Sequence, residues 1–194
     1  GKMKKIIVMG AGIGGMSAAY ELRSKFGADA EITVFGDGPR FSFTPSNPWL
    51  AVGWREPGQI TLDAGEHLNK KNIHFVPRRI SKLNPEANTV ETENGDVHTY
   101  DYLLICTGPR LAFEEVPGSG PQGGFTQSIC TTPHAGEAWK NYQEFLKDPG
   151  PIVVGAVQSE TPTFVGFVTP VIFRDPQLVV DAFAAHHDPE RNLR

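Results

Sequence analysis

The chain has 194 residues and a formal net charge of −4, and 39% of its residues are hydrophobic. This length and composition favour one folded domain with a core, and the negative charge argues against a nucleic-acid-binding surface. No run of about 18 apolar residues occurs, so the sequence predicts no membrane span and no membrane contact. With two cysteines and no visible secretory signal, we expect a cytoplasmic protein, or a position at the cytoplasmic side of a membrane for a full-length relative.

The first 35 residues have the pattern of a nucleotide-binding βαβ unit. Residues 5–9 predict a buried parallel strand that leads into Gly10-Ala11-Gly12-Ile13-Gly14-Gly15. A helix should follow and end at Gly27, and residues 31–35 predict the next strand. The apolar face of that helix is predicted to carry Gly15, Ala18, Ala19, Leu22 and Phe26.

The glycines of this turn suit a bound pyrophosphate. Gly10 permits a tight turn, Gly12 lets the backbone approach the phosphates, and Gly15 lets the helix pack close to the strand. The free N–H groups at the start of the helix would face the phosphates. Asp37 lies one residue beyond the position where an acidic residue usually binds the ribose hydroxyls. It could bind the ribose or be a simple turn aspartate, and the sequence leaves both interpretations open.

The middle of the chain predicts a small antiparallel insert. Residues 40–58, rich in aromatics, are expected to form an ordered loop, followed by a helix over 62–71 and a strand over 72–76. Three strands, at 80–83, 89–92 and 97–100, should form a meander, because Asn94-Gly95 is a strong hairpin signal. Residues 103–106 then return to the buried sheet. The expected fold class is α/β, with a Rossmann-like parallel sheet, flanking helices and this insert.

The last third is less regular. A Pro- and Gly-rich connection over 109–134 leads to a predicted helix at 133–146 and a buried strand at 151–155. Residues 159–170 show no clear period, and Asp175-Pro176 predicts a further helix. His186-His187 is interpreted as a solvated helix end, so no metal site is expected.

Several stretches together resemble the sulfide:quinone oxidoreductases, within the two-dinucleotide-domain flavoproteins. The resemblance covers roughly residues 3–155, and its most specific motifs are Pro45-Ser46-Asn47-Pro48-Trp49 and Ser128-Ile129-Cys130. The other matching stretches are Gly10-Ala11-Gly12, Ala18-Ala19-Tyr20-Glu21, Val52-Gly53-Trp54, Tyr100-Asp101-Tyr102-Leu103, Thr107-Gly108-Pro109, Leu111-Ala112-Phe113-Glu114 and Val116-Pro117-Gly118.

The resemblance implies an FAD cofactor and a position for each contact. Gly10, Gly12 and Gly15 would hold its pyrophosphate. Residues near the isoalloxazine ring would be Pro45 and Asn47, and the backbone at Arg79 and Ile80 would meet the adenine. The FAD cleft would be lined by Thr107, Gly108 and Pro109.

The resemblance also implies the reaction: oxidation of sulfide, with two electrons passed through FAD to a quinone. Cys130 matches a cysteine on the sulfide side of the flavin, where a thiolate can carry sulfur. Cys106 is expected to be a packed, inert thiol. Trp49 and Trp54 could flank the ring or simply anchor their loop.

This sequence departs from the family in two ways. Family chains are much longer, and their second sulfur-carrying cysteine belongs just after residues 152–155, where this chain has none. We therefore expect an FAD-binding domain over residues 3–155, an atypical tail over 156–194, and little or no activity from this chain alone.

Two other interpretations stay open. The chain could be related to the flavin subunit of a flavocytochrome sulfide dehydrogenase, although neither an export signal nor a cytochrome partner is visible. It could also be a non-catalytic nucleotide-binding or oligomerising remnant that self-associates through a sheet face left open.

Overall fold

The structure is a computed structural model that describes residues 2–156 and 168–171. The chain forms two compact units. The first contains residues 1–43 and 61–110, and the second contains residues 44–60 and the described residues from 111 onward.

The first unit holds most of the strands. In chain order the strands are β1 (Lys4–Met9), β2 (Ala30–Phe35), β3 (Arg40–Ser42), β4 (Thr61–Asp63), β5 (His74–Val76), β6 (Ile80–Asn84), β7 (Thr89–Thr92), β8 (Val97–Thr99), β9 (Tyr102–Ile105), β10 (Val153–Ala156) and β11 (Val168–Val171). The α-helices are α1 (Ile13–Phe26), α2 (Asn47–Ala51), α3 (Pro57–Ile60), α4 (Ala64–Asn69) and α5 (Thr132–Phe145).

A four-stranded parallel sheet in the order β5-β2-β1-β9 forms the centre of the first unit. Side chains alternate along β1, so its two faces enter different clusters. Ile6 and Val8 pack in one cluster with Met16 and Ala19 of α1. Ile7 packs in another with buried residues of the β6-β7-β8 meander. This arrangement confirms the predicted α/β class, with helices on the parallel sheet and a small antiparallel insert.

The predicted face of α1 is wrong at its last position. Phe26 is 47% exposed, whereas Met16, outside the predicted face, is buried. Gly27 follows the helix with φ of 51°, so the predicted C-cap is confirmed. In the last turn it is Arg23 that contacts the sheet, through the Ala30 carbonyl at 2.9 Å.

Within the part of the chain that the structure describes, strand β9 lies at the edge of this sheet and is not the buried strand that the sequence predicts. Tyr102 and Ile105 are 56% and 61% exposed. Beside it, Asp101 Oδ2 accepts a hydrogen bond from the Lys5 N–H at 2.7 Å, which lowers the pKa of Asp101. An apolar run of this length does not distinguish a central from an edge strand, which explains the error.

The predicted loop over residues 40–58 is also wrong. Its first residues form β3, which pairs with β4, and the rest contains a 3₁₀ turn and helices α2 and α3. Pro48 lies in the first turn of α2, where proline is favoured because the missing N–H has no helical partner.

The second unit has a small core between α2 and α5. Its buried members are Leu50, Ala51, Ile60, Ala135 and Ala138. The predicted helix at 133–146 is confirmed as α5, and the predicted strand at 151–155 is confirmed as β10, which pairs with β11 in an antiparallel ladder. The helix predicted from Asp175, and His186-His187 with it, lie outside the described residues. Among the residues that the structure describes, every helix is too short or too polar to cross a membrane.

The close packing of α1 on β1 predicts different effects for two neighbouring glycines. A Cβ on Gly15 would lie 2.9 Å from the Gly10 carbonyl carbon, whereas a Cβ on Gly14 would enter open space. We expect Gly15→Ala to lower the free energy of unfolding by about 1–3 kcal/mol through overpacking. Gly14→Ala should be neutral or stabilising by up to about 1 kcal/mol. Urea unfolding measures the free energy of unfolding of both variants. Equal losses in Gly14→Ala and Gly15→Ala would contradict the close packing of Gly15 on Gly10.

Candidate nucleotide-binding site

Two sequence motifs meet where the parallel strands end. Gly10 has φ of 112°, and a Cβ there would lie 2.7 Å from the Cys106 carbonyl carbon and 3.1 Å from the Thr107 nitrogen. The Gly10 N–H donates to the Phe35 carbonyl at 2.8 Å, and the Cys106 N–H donates to the Met9 carbonyl at 2.7 Å. The glycine turn and the start of the 106–109 segment are therefore in direct contact.

The start of α1 is open to a ligand. Cβ atoms on Gly12 and Gly14 would meet nothing within 4 Å. Gly12 is the N-cap, no side chain caps the helix, and its first turn carries no acidic residue. The first N–H groups of a helix have no helical partners and favour anions, so this end suits a phosphate.

Asp37 and Arg79 form an ion pair beside this turn. Asp37 Oδ2 accepts a hydrogen bond from Arg79 Nη2, and this bond raises the pKa of Arg79. Both side chains are more than 60% exposed. Ile80, in contrast, is buried in the cluster beneath the meander, so only its backbone is available to a ligand.

The remaining predicted residues of the first unit follow β9. Thr107, Gly108 and Pro109 are exposed, and Gly108 has φ of 74°. Cys106 is half-buried and packs against the core of this unit, as the sequence predicts.

The second unit contains Pro45, Asn47 and Cys130. Asn47 is 1% exposed, and its Oδ1 accepts a hydrogen bond from Thr132 Oγ1 at 3.2 Å. Its Nδ2 is buried and has no hydrogen-bond partner among the described residues. Pro45 is exposed in a 3₁₀ turn.

Cys130 lies in the turn before α5. It is half-buried, and its N–H donates to the buried Ser128 Oγ at 3.2 Å. Thr131 caps the helix by accepting from the His134 N–H. The sequence prediction missed Thr132 as the partner of Asn47. The Thr131-Thr132-Pro133 pattern marks the helix start, but it does not identify a partner 85 residues away.

The predicted residues thus divide between the two units. Gly10, Gly12, Gly15, Asp37, Ile80 and residues 107–109 belong to the first, and Pro45, Asn47 and Cys130 belong to the second. Among the described residues, His, Cys, Asp and Glu side chains form no group of three or more that could hold a metal ion.

The fold and the open glycine turn together define a dinucleotide-binding protein. The family model described as pyridine nucleotide-disulphide oxidoreductase matches residues 4–156. The chain therefore belongs to the pyridine nucleotide-disulphide oxidoreductase family, whose members bind FAD.

Several relatives within this family carry a more specific name. The chain is 43% identical over 154 residues to a sulfide-quinone reductase of Aquifex aeolicus, covering 79% of this chain and 35% of that protein. It is 25% identical over 148 residues to a mitochondrial sulfide:quinone oxidoreductase of Mus musculus, covering 73% and 31%.

The structural comparison agrees with the sequence comparison. The X-ray structure of the sulfide:quinone oxidoreductase of Aquifex aeolicus matches with a TM-score of 0.70 and 42% identity, over 76% of this chain and 33% of that one. The chain thus spans about a third of the length of these relatives.

Each unit, taken by itself, offers groups that suit part of an FAD molecule. The open helix start supplies N–H donors for a pyrophosphate, and the unpaired Asn47 Nδ2 supplies a buried donor for a ring carbonyl or nitrogen. A buried amide without a partner is uncommon in folded proteins, and an acceptor on a ligand is one way to satisfy it.

The Thr132 hydroxyl is predicted to stabilise the second unit through Asn47. Thr132→Val should lower the free energy of unfolding by about 1–2 kcal/mol, because it removes the donor to the buried Asn47 Oδ1. Thr44→Val is a matched control, because Thr44 is exposed and should change stability by less than about 0.5 kcal/mol. Thermal or urea unfolding measures the stability of both variants. An unchanged stability of Thr132→Val would show that the hydrogen bond from Thr132 to Asn47 does not stabilise the fold.

Proposed function

We propose that this chain is the FAD-binding part of a sulfide:quinone oxidoreductase. The observation that carries the proposal is the open, uncapped start of α1, which follows a turn whose Gly10 contacts the 106–107 backbone. The 43% identity to a sulfide-quinone reductase supports the choice within the family. We assign residues 3–155 to the FAD-binding domain and residues 156–194 to a tail that is atypical of the family.

The residues of the first unit would bind the adenosine diphosphate half of FAD. N–H groups at the start of α1 would donate to the pyrophosphate, with Gly12 leaving room for it and with Gly10 and Gly15 letting the turn and the helix pack closely on the neighbouring backbone. The backbone at Ile80 would contact the adenine, and residues 107–109 would line the cleft. Among these positions, Gly12 and residues 107–109 are exposed.

The residues of the second unit would serve the flavin and the substrate. Asn47 would donate from Nδ2 to the ring, and Pro45 would lie near it. Cys130, with its N–H bonded to Ser128 Oγ, would present its thiolate on the sulfide side of the flavin. Joining sulfide sulfur to that thiolate would release one proton and two electrons, so the step requires the bound flavin as the two-electron acceptor. When bound, FAD would supply the two-electron redox chemistry between sulfide and a quinone.

The cysteine content limits what this chain does alone. The sequence contains only Cys106 and Cys130, and Cys106 packs against the core. Sulfur transfer between two cysteines would need a second reactive thiol. We therefore propose that the 194-residue chain turns over little or no sulfide.

A second candidate function is a nucleotide-binding module that associates with another chain. The edge position of β9 among the described strands favours it, because an unpaired edge is a template for another strand, and Tyr102 and Ile105 are exposed there. Such a module would be purified without bound FAD and would form oligomers.

Cofactor release distinguishes these two functions. We expect the purified protein to show a flavin absorbance spectrum and to release FAD, not FMN, on denaturation, at about one per chain. Chromatography of the released flavin against both standards makes the assignment. A colourless protein that takes up no added FAD would contradict the proposal and favour the module.

A substitution at Gly12 separates cofactor binding from folding. Gly12→Val places its side chain in the open space at the start of α1, where it should block the phosphates and raise the Kd for FAD at least tenfold. Stability should change by no more than about 1 kcal/mol, because the space is empty.

Gly136→Val in α5 is the control for this substitution, since a Cβ there also meets open space. Fluorescence titration and urea unfolding report both quantities. Unchanged FAD affinity in Gly12→Val would show that the phosphates bind elsewhere.

A further inference from the structure

The loop that follows β2 is held tightly on both sides of Asp37. The Gly36 N–H donates to the Val76 carbonyl at 2.9 Å, and a Cβ on Gly36 would lie 3.1 Å from the Ala11 Cβ. Beyond Asp37, the Pro39 carbonyl accepts from the Ala64 N–H at 3.0 Å. Asp37 is therefore presented from a fixed backbone, next to the glycine turn.

Arg79 reaches Asp37 from the connection between β5 and β6. Its own carbonyl accepts from the Glu93 N–H at 3.0 Å, so its backbone is anchored to the meander. The guanidinium engages Asp37 Oδ2, and Oδ1 has no partner among the described residues. The pair leaves one carboxylate oxygen available on the residue that follows Gly36, whose Cβ position lies 3.1 Å from Ala11 in the glycine turn.

Fold stability does not explain this pair. Both side chains are mostly exposed, and exposed ion pairs contribute little to folding because water screens them. What the pair does restrict is the rotation of the Asp37 carboxylate, since Arg79 bonds to one of its two oxygens.

We propose that Arg79 is a positioning residue that orients Asp37 toward the ribose hydroxyls of the adenosine in FAD. This proposal rests on the proposed function. A carboxylate only accepts hydrogen bonds, and the neighbouring hydroxyls of a ribose are donors, so Oδ1 suits them. Asp37 is thus a ribose ligand and not merely a turn residue, and the pair favours a nucleotide with an intact diol.

Binding measurements on Asp37→Asn, Arg79→Gln and the double variant test this. Asp37→Asn should weaken FAD binding about tenfold and Arg79→Gln about fivefold. The double variant should be no weaker than Asp37→Asn, because Arg79 acts through Asp37. Lys82→Gln removes another exposed ion pair of the same unit, with Glu91 at 3.9 Å, and should leave FAD binding unchanged.

Competition between nucleotides isolates the ribose contact. Apoprotein should bind ADP about fivefold more tightly than 2′-deoxy-ADP, and Arg79→Gln should reduce that preference to less than about twofold. A merely structural role of Arg79 would weaken both nucleotides equally and leave the preference intact, and that result overturns the proposal.

The other outcomes are equally distinct. Additive losses of affinity in the double variant would show that Arg79 contacts the ligand directly. Normal FAD affinity in Arg79→Gln would show that the ion pair is only a surface contact. Either result overturns this inference and leaves the proposed function standing. Failure of the unmodified chain to bind FAD or ADP overturns the proposed function together with it.

Discussion

The candidate site depends on how closely three backbone segments approach one another at the carboxyl ends of β1, β2 and β9. The Gly10 N–H bonds to the Phe35 carbonyl, the Cys106 N–H bonds to the Met9 carbonyl, and the space beside Gly10 excludes even a methyl group. No side chain stands between these segments. Helix α1 therefore begins directly at the sheet edge with its first N–H groups uncovered, which is the condition for binding a phosphate there.

Local periodicity predicts most of the first unit. The alternation of Ile6, Ile7 and Val8 between two clusters, the glycine after α1 and the Asn-Gly hairpin are each properties of a few adjacent residues. Periodicity does not predict features that depend on the surrounding structure. An apolar run cannot show whether β9 has neighbouring strands on one side or on both. Aromatic content likewise cannot show that residues 47–51 form a helix.

The partners within the site are harder to predict than its backbone, because they come from distant parts of the chain. Asp37 and Arg79 are 42 residues apart, and Asn47 and Thr132 are 85 residues apart. Arg23 likewise bonds to the Ala30 carbonyl at 2.9 Å and to the Asn72 carbonyl at 2.6 Å, across 49 residues. Nothing in the local sequence specifies these pairs, since each depends on the chain crossings that the complete fold creates.

Asp37 in the first unit and Asn47 in the second differ in how they would respond to a ligand. Asp37 is exposed, so water already satisfies its free oxygen, and a ribose hydroxyl would only replace that water. Asn47 is buried, and the Thr132 hydroxyl can donate or accept, so either orientation of the amide leaves one polar atom unpaired. An unpaired buried group costs about 1–3 kcal/mol, and a ligand that satisfies it recovers that cost. Ligand binding at Asn47 would therefore stabilise the second unit, whereas Asp37 would contribute selectivity with little effect on stability.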